Sequence, residues 1–202
     1  MSITNYSELQ SAIASWLDRS DLSLRIPEFI ALCEAKLSRE LRVRPMESKT
    51  SGTMSSSSLA LPSDWVGFKS IWYEISGERI ELISGTPQES NRFDDGATDY
   101  PVGYYISGSN VYFYPDSNGD YTVGYIYYQS IPALTDTNTT NWLLTSHPDI
   151  YLYGTLLEAV PYLKDRPDIP IWDAAYTSVI AQMKKADRRD VRSGAPMRMR
   201  TY

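Results

Sequence analysis

The sequence is poor in the residues that metal and redox chemistry use most. It has one cysteine, Cys33, and one histidine, His147. A single cysteine excludes an intrachain disulfide and a dithiol metal cluster within one chain, so we expect Cys33 to pack in a core. A histidine metal site or a Ser-His-Asp relay would have to be built around His147. Because this residue directly precedes Pro148 at a predicted helix start, we expect it to be structural or exposed to solvent.

Segments typical of membranes and of nucleotide sites are also missing. Nowhere are there about 18 consecutive apolar residues, and residues 1–5 lack the basic segment and apolar run of a signal peptide. The sequence has no GxGxxG and no phosphate-binding glycine-rich loop with a lysine. We therefore expect no cofactor, no membrane partner, and assembly in a cytoplasm.

Aromatic composition is uneven, with 16 Tyr against 4 Phe. A tyrosine ring covers apolar area while its hydroxyl keeps a polar partner, so the excess favours sheets and interfaces over a dry core. The simpler interpretation is a strand-rich domain. With 202 residues, the chain is long enough to bury roughly two-thirds of its unfolded surface.

Charge is distributed asymmetrically along the chain. The net charge is −6, yet Lys184–Tyr202 carries seven Lys or Arg against two Asp, a net +5 that leaves −11 for the preceding residues. Phosphate neutralisation by Lys and Arg supplies most non-specific affinity for DNA. The acidic body therefore argues against a protein that grips duplex DNA, and it is compatible with one that lets DNA slide past.

Two helices are predicted near the N-terminus. The first spans Ser7–Leu17, with Ser7 as its cap. The second has Pro27 in its first turn and stops before Pro45. Apolar residues on one side of it are Phe29, Ile30, Cys33, Leu37 and Leu41. Exposed charge is the default on a helix, so we expect the remaining charged residues to face water, namely Glu34, Lys36, Arg39 and Glu40.

Two further helix patterns follow Trp142. In the first, Ser146 is a candidate N-cap, Pro148 lies in the first turn and Asp149 is placed like a capping-box carboxylate. Its predicted inward residues are Ile150, Tyr153, Leu157 and Val160, and Pro161 should kink or end it. The second has one apolar stripe, composed of Ile171, Trp172, Ala175, Val179, Ile180 and Met183. It closes with cations, which suit a helix C-terminus: Lys184, Lys185, Arg188 and Arg189.

The middle of the chain is predicted to form strands. Residues 47–58 are rich in Ser, Thr, Lys and Gly, and we interpret them as a flexible loop. The predicted strands are Val66–Ile75, Arg79–Ile83, Val102–Ile106, Val111–Tyr114 and Tyr121–Gln129. Turns are predicted at Ser76-Gly77, at residues 107–110 and at residues 115–120, which makes the last three strands an antiparallel meander. Residues 84–100 form a longer loop.

We predict an α+β fold, with N- and C-terminal helices forming one bundle and an antiparallel β lobe inserted between them. Residues 1–46 and 142–190 would form the helical bundle domain, and residues 59–131 the antiparallel β domain. Residues 191–202 would be an extended C-terminal docking tail. The candidate docking residues mix cations with Met and Tyr: Arg192, Met197, Arg198, Met199, Arg200 and Tyr202.

Two acidic clusters suggest chemistry but have simpler explanations. Glu89, Asp94, Asp95 and Asp99 allow a carboxylate-dependent glycan hydrolase, because paired carboxylates can act as acid and nucleophile. These acids lie in a polar loop, where we expect them to be solvated. Asp116 and Asp120 flank a Gly-containing loop, yet the calcium-loop pattern ending in Glu is missing, so a hairpin turn is preferred. A carbohydrate-binding module that uses exposed Tyr is another alternative. We assign no catalytic, metal or cofactor-binding residue.

Two stretches resemble head-to-tail adaptor proteins of tailed bacteriophages. One is Leu152–Asp165, followed by Trp172 and Ala186-Asp187-Arg188-Arg189; the other runs from Ile26 to Arg44. The resemblance implies a virion structural protein of the neck. It implies a ring, commonly dodecameric, beneath the portal protein, which continues the DNA channel toward a downstream tail or nozzle protein. Genomic DNA would pass without sequence-specific binding.

Overall fold

The computed structural model describes residues 3–93, 98–163 and 167–192 and has an α+β fold. It divides into two compact units. The first, the helical unit, combines Met1–Pro45 with Ile131–Tyr202, and the second, the sheet unit, is Met46–Ser130. The described helices are α1 (Tyr6–Leu17), α2 (Ile26–Glu40), α3 (Pro87–Ser90), α4 (Trp142–Ser146), α5 (Pro148–Glu158) and α6 (Ile169–Arg192).

The two N-terminal helices form where their apolar spacing predicts. The cap of α1 is Asn5 rather than Ser7: the Asn5 side chain accepts a hydrogen bond from the Glu8 N–H at 3.0 Å. An asparagine amide reaches the free N–H groups of a first turn as well as a serine hydroxyl does. In α2 the predicted apolar side is confirmed, since Phe29, Ile30, Cys33 and Leu37 are all buried, as is Leu41 directly after the helix.

The first C-terminal pattern forms two helices instead of one. Ser146 is the last residue of α4, and Asn141 caps α4 by accepting from the Leu144 N–H at 2.8 Å. The predicted Ser146 cap is therefore wrong, and α5 begins at Pro148 without a side-chain cap. Its end before Pro161 is confirmed, because a 3-10 turn, Val160–Tyr162, follows Glu158.

The predicted inward stripe of α5 is also wrong in part. Ile150 is buried, but Tyr153, Leu157 and Val160 are only half-buried. The more deeply buried residues lie on several faces of the helix: Tyr151, Leu152, Gly154, Thr155 and Leu156. The cause is packing on several sides, since α5 contacts α1, α2, α4 and α6.

The long C-terminal helix α6 packs through one narrow stripe. Trp172, Tyr176, Ile180 and Met183 are buried at successive spacings of four, four and three residues. Ile171 was placed on this stripe but is 65% exposed. The helix continues to Arg192, two residues beyond the expected boundary at 190.

The described residues of the sheet unit form eight strands in two sheets. They are β1 (Glu47–Met54), β2 (Ser58–Ala60), β3 (Trp65–Ile75), β4 (Glu78–Glu81), β5 (Ile83–Ser84), β6 (Gly103–Ser107), β7 (Asn110–Tyr114) and β8 (Tyr121–Gln129). One sheet has the order β1-β8-β3-β4 and the other β2-β7-β6-β5. Pairing is antiparallel except between β5 and β6, which are parallel, so the second sheet is mixed.

The predicted flexible loop at residues 47–58 is ordered. Glu47–Met54 pairs with β8 in an unbroken register, from Glu47 opposite Tyr128 to Met54 opposite Tyr121. The turn after it uses two serines with positive φ, Ser56 at 49° and Ser57 at 59°. Such a turn is usually signalled by Asn or Gly. The strand was not predicted because its residues are polar and its turn is Ser-Ser. Pairing with β8 stabilises it.

The predicted meander is wrong, although its first hairpin is confirmed. β6 and β7 pair around Gly108, whose φ is +60°. β8, however, joins the other sheet, between β1 and β3. Residues 115–120 therefore connect two sheets rather than forming a hairpin turn. The sheets share an apolar core that includes Met54, Tyr73, Val111, Phe113 and Val123.

Substitution of Gly154 tests the packing of α5. A Cβ at this position would lie 2.5 Å from Cys33 Sγ and 3.1 Å from Tyr176 Cε2. Alanine favours a helix by about 1 kcal/mol over glycine, but overpacking costs about 1–3 kcal/mol. We expect Gly154→Ala to lower the free energy of unfolding by roughly 1–2 kcal/mol in denaturant titrations. The loss of free energy of unfolding should be smaller when Gly154→Ala is made in a Cys33→Ala variant. An equal loss in that variant would contradict the proposed clash with Cys33.

Candidate interaction surface

The C-terminal half of α6 presents exposed cations on the side opposite its buried stripe. Lys185, Arg188 and Arg189 are exposed, and none of them forms an ion pair with any residue that the structure describes. Their spacing of three and four residues puts them on one helix face, where like charges repel. Cations near a helix C-terminus gain about 0.3–1 kcal/mol from the helix dipole, which offsets part of this repulsion. We call these three residues the basic face.

Arg44 neutralises the acids that lie among these cations. Its backbone N–H donates to Asp187 Oδ1 at 3.0 Å, and its side chain donates to Asp187 Oδ1 at 3.4 Å and to Asp190 Oδ2 at 2.6 Å. On an adjacent side, Lys184 Nζ lies 3.6 Å from Glu40 Oε1. Asp187 and Asp190 thus bind a cation from the N-terminal segment, so they do not neutralise the basic face. Sequence analysis missed Arg44, because its partners lie more than 140 residues away.

A small groove lies beside this ion pair within the helical unit. It has a volume of about 150 Å³, and its apolar lining includes Val43, Pro45, Trp142, Met183 and Ala186. The Trp142 Nε1–H is buried and has no hydrogen-bond partner among the described residues. An unpaired buried donor costs about 1–3 kcal/mol.

A buried polar cluster fixes the position of α2 in the helical unit. Glu34 was expected to face water, but it is only 6% exposed. Its Oε1 accepts from the Tyr151 hydroxyl at 2.9 Å and from the Leu134 N–H at 2.9 Å. Asn141 Nδ2 in turn donates to the Tyr151 hydroxyl at 2.6 Å and to the Pro132 carbonyl at 2.8 Å. The prediction for Glu34 is wrong because partners distant in sequence satisfy its carboxylate.

Burial changes the ionisation of this cluster. Desolvation raises the pKa of the Glu34 carboxyl, and the hydrogen bonds from Leu134 and Tyr151 offset part of that rise. Burial and the neighbouring Glu34 carboxylate raise the pKa of the Tyr151 hydroxyl. The cluster is enclosed by helices, and its hydrogen bonds are internal. It therefore stabilises the fold and offers no access to a substrate.

Two of the four acids of the predicted acidic loop make local backbone contacts. Glu89 forms a capping box at the start of α3: its Oε2 accepts from the Thr86 N–H at 2.7 Å, and its own N–H donates to Thr86 Oγ1. Asp99 Oδ1 accepts from the Tyr100 N–H at 2.7 Å. Asp94 and Asp95 lie outside the described residues. Glu89 and Asp99, the two of these acids that the structure describes, thus each bond to a neighbouring backbone N–H group.

His147 lies at the junction between α4 and α5, where its backbone bonds to both helices. Its backbone N–H donates to the Leu143 carbonyl at 2.7 Å, and its carbonyl accepts from the Ile150 N–H at 3.2 Å. The side chain is half-buried at the edge of the groove. Across residues 3–93, 98–163 and 167–192, no three His, Cys, Asp or Glu side chains are grouped to hold a metal ion.

The predicted docking residues fall at the limit of the described chain. Arg192 is the last residue of α6, and its side chain is not described. Met197, Arg198, Met199, Arg200 and Tyr202 lie outside the described residues. Within the described part, none of the helices is both long enough and apolar enough to span a bilayer.

The geometry places this chain in the class of α+β proteins, with three exposed cations on one face of α6. Comparison with known families is more specific. The model of the SU10 adaptor protein family matches residues 4–200, so the chain belongs to that family. The resemblance to phage head-to-tail adaptors is thereby confirmed at the level of the family. Membership indicates a phage adaptor role, in a structural component of the virion. None of the curated proteins compared matches the chain.

The raised pKa of Glu34 makes a pH-dependent prediction. A carboxyl whose pKa is higher in the folded than in the unfolded state stabilises the fold at low pH, and that stability is lost as pH rises through the folded-state pKa. In Glu34→Gln the amide oxygen can accept the same two hydrogen bonds and does not ionise. We expect the variant to gain free energy of unfolding relative to the native chain between pH 4 and pH 8. Parallel stability curves from denaturant titrations would contradict this.

Proposed function

We propose that the chain is a head-to-tail adaptor that assembles as a ring beneath the portal protein and continues the DNA channel toward the tail. In this arrangement the terminal helices form a bundle and the sheet unit is inserted between them as a β lobe. The observation that carries the proposal is the family match, which extends over residues 4–200 and therefore includes both units.

The basic end of α6 is the proposed docking surface for the portal. Lys185, Arg188 and Arg189 are exposed, and Arg44 occupies the two acids that would otherwise neutralise them. The residues after α6 add Arg198 and Arg200 with Met197, Met199 and Tyr202, a mixture suited to a cleft with apolar walls and acidic edges. Insertion of this tail into portal clefts would place the basic face at the rim of the same contact.

The acidic body suits the proposed channel. Residues 1–183 carry a net charge of −11. Repulsion between acidic side chains and phosphate opposes tight DNA binding, because cations supply most non-specific affinity. A ring that passes DNA needs a wall that does not hold it. The downstream partner, a tail or nozzle protein, would bind the opposite end of the ring.

Attachment to the portal should depend on the basic face and on the tail. We expect Arg188→Glu/Arg189→Glu, and a chain ending at Asp190, each to bind purified portal roughly tenfold more weakly at low salt. Screening over about 8–10 Å should reduce the difference between native chain and charge variant as salt is raised. The charge variant should unfold at nearly the native denaturant concentration, because Arg188 and Arg189 are exposed, and we expect the same of the truncation.

A matched control changes the same number of charges elsewhere. Arg39 and Arg92 are exposed and form no ion pair within the described residues, so Arg39→Glu/Arg92→Glu should bind the portal like the native chain. Binding of all four proteins to surface-immobilised portal is measured at two salt concentrations. Equal attachment by the native chain, the charge variant and the truncation would exclude this docking surface.

The isolated chain should remain largely monomeric. Its exposed apolar side chains, such as Leu24, Ile83 and Ile171, are distributed over separate elements rather than forming one stripe. Ring formation would then need the portal as a template. Analytical ultracentrifugation at micromolar concentration measures this, and a stable large ring without portal would contradict templated assembly.

A further inference from the structure

The four-stranded sheet of the sheet unit has two edge strands whose outer backbone groups bond to no described residue. Its order is β1-β8-β3-β4, so β1 and β4 lie on opposite edges. Apart from their ladders with β8 and β3, the backbone groups of Ser48–Thr53 and Arg79–Glu81 have no recorded hydrogen bond within the described chain. Edge strands are usually protected by being short, by charged side chains, by proline or by a bulge. β1 has no proline, and its register with β8 is unbroken over eight residues.

The direction of the two edge strands allows copies to join through them. Each neighbouring pair in this sheet is antiparallel, so β1 and β4 run in opposite directions. If β4 of one copy lay beside β1 of the next, the new pair would also be antiparallel. The contact uses different surfaces on the two copies, and such a heterologous contact closes into a ring when the rotation between copies allows it.

Charges on the outer face of the sheet favour one register for pairing β4 of one copy with β1 of the next. The ladder places Ser51 opposite Gly124, Gly124 opposite Trp72, and Trp72 opposite Glu81, so Ser51 and Glu81 project from the same face. Lys49, two residues before Ser51, shares that face. Pairing Glu81 of one copy with Lys49 of the next brings opposite charges together and sets Arg79 opposite Ser51.

Both charged groups are accessible for this contact. The Glu81 side chain is 72% exposed and forms an ion pair with Arg79 at 3.2 Å. The Arg79 guanidinium also lies 3.6 Å from the centroid of the Trp72 ring, which holds it against the sheet. Lys49 is exposed and reaches 5.8 Å from the same ring. The Glu81 carboxylate therefore has room to accept a second cation.

We propose that β4 of one copy pairs with β1 of the adjacent copy in the assembled ring, with Glu81 beside Lys49. The inference rests on the proposed ring. A pairing of four-residue length provides few hydrogen bonds. It would align neighbouring copies on a portal template rather than hold two free copies together. The other sheet offers only β2 and β5 at its edges, with three and two residues, which are shorter still.

Cysteine cross-linking tests the pairing directly. The full chain carrying Lys49→Cys and Glu81→Cys is co-expressed with the portal, and the rings are imaged by electron microscopy before oxidation. We expect a ladder of disulfide-linked oligomers in denaturing gels, and no ladder from either single variant. Burial raises the pKa of the Cys33 thiol to about 12, so this native cysteine stays unreactive.

The outcomes separate this inference from the proposed function. Rings with a ladder support both, whereas rings without one overturn the strand pairing and leave the adaptor role intact. Absence of rings from the native chain co-expressed with the portal, with soluble and folded protein, overturns both. Dimers from Lys49→Cys alone would replace the proposed pairing with a two-fold contact between β1 strands.

Charge reversal provides a second measurement on the same rings. Glu81→Lys should lower the fraction of chain found in portal-bound rings at least severalfold, and adding Lys49→Glu should restore it. The exposed loop residue Asp136 provides the control, because Asp136→Lys changes the net charge equally without touching either edge. Failure of the double variant to recover, when both variants are folded, would count against the proposed register.

Discussion

The helical unit depends on one buried carboxylate. Glu34 accepts hydrogen bonds from Leu134 and from Tyr151, so α2 is tied to the chain that returns from the sheet unit and to α5. A buried carboxylate without partners is costly, so α2 and α5 can pack closely only when these donors are in place. α6 packs on α5, and Arg44 binds its C-terminal end. The orientation of the basic face therefore follows from interactions that begin at Glu34.

This dependence explains how a surface helix can carry cations that form no ion pair with a described residue. The end of α6 gains little from its own sequence, because Lys185, Arg188 and Arg189 repel one another. It is held instead by buried Ile180 and Met183 and by the bonds from Arg44 to Asp187 and Asp190. Stability comes from one side of the helix, which leaves the other side available for a partner.

Sequence patterns predicted the helices well where one face is buried, as in α2 and most of α6. They failed where partners are distant. α5 packs on several sides and has no single stripe, and Glu34 looks like any exposed helix acid until Tyr151 is beside it. β1 is polar because it lies at an edge, and only pairing with β8 makes it a strand. The cations of the basic face could be predicted from the sequence. The ion pair between Arg44 and Asp187, which keeps this acid from neutralising them, could not.

The two proposed contacts of this adaptor differ in physical origin. Docking through the basic face relies on exposed charge, which salt screens over about 8–10 Å. Pairing of β4 with β1 relies mainly on backbone hydrogen bonds, which depend much less on ionic strength, with Lys49 and Glu81 setting only the register. Raised salt should therefore weaken docking to the portal more than it weakens the pairing between neighbouring copies on the same portal. The short strand pairing would align the copies only while the portal holds them, so docking is the contact that decides whether the ring forms.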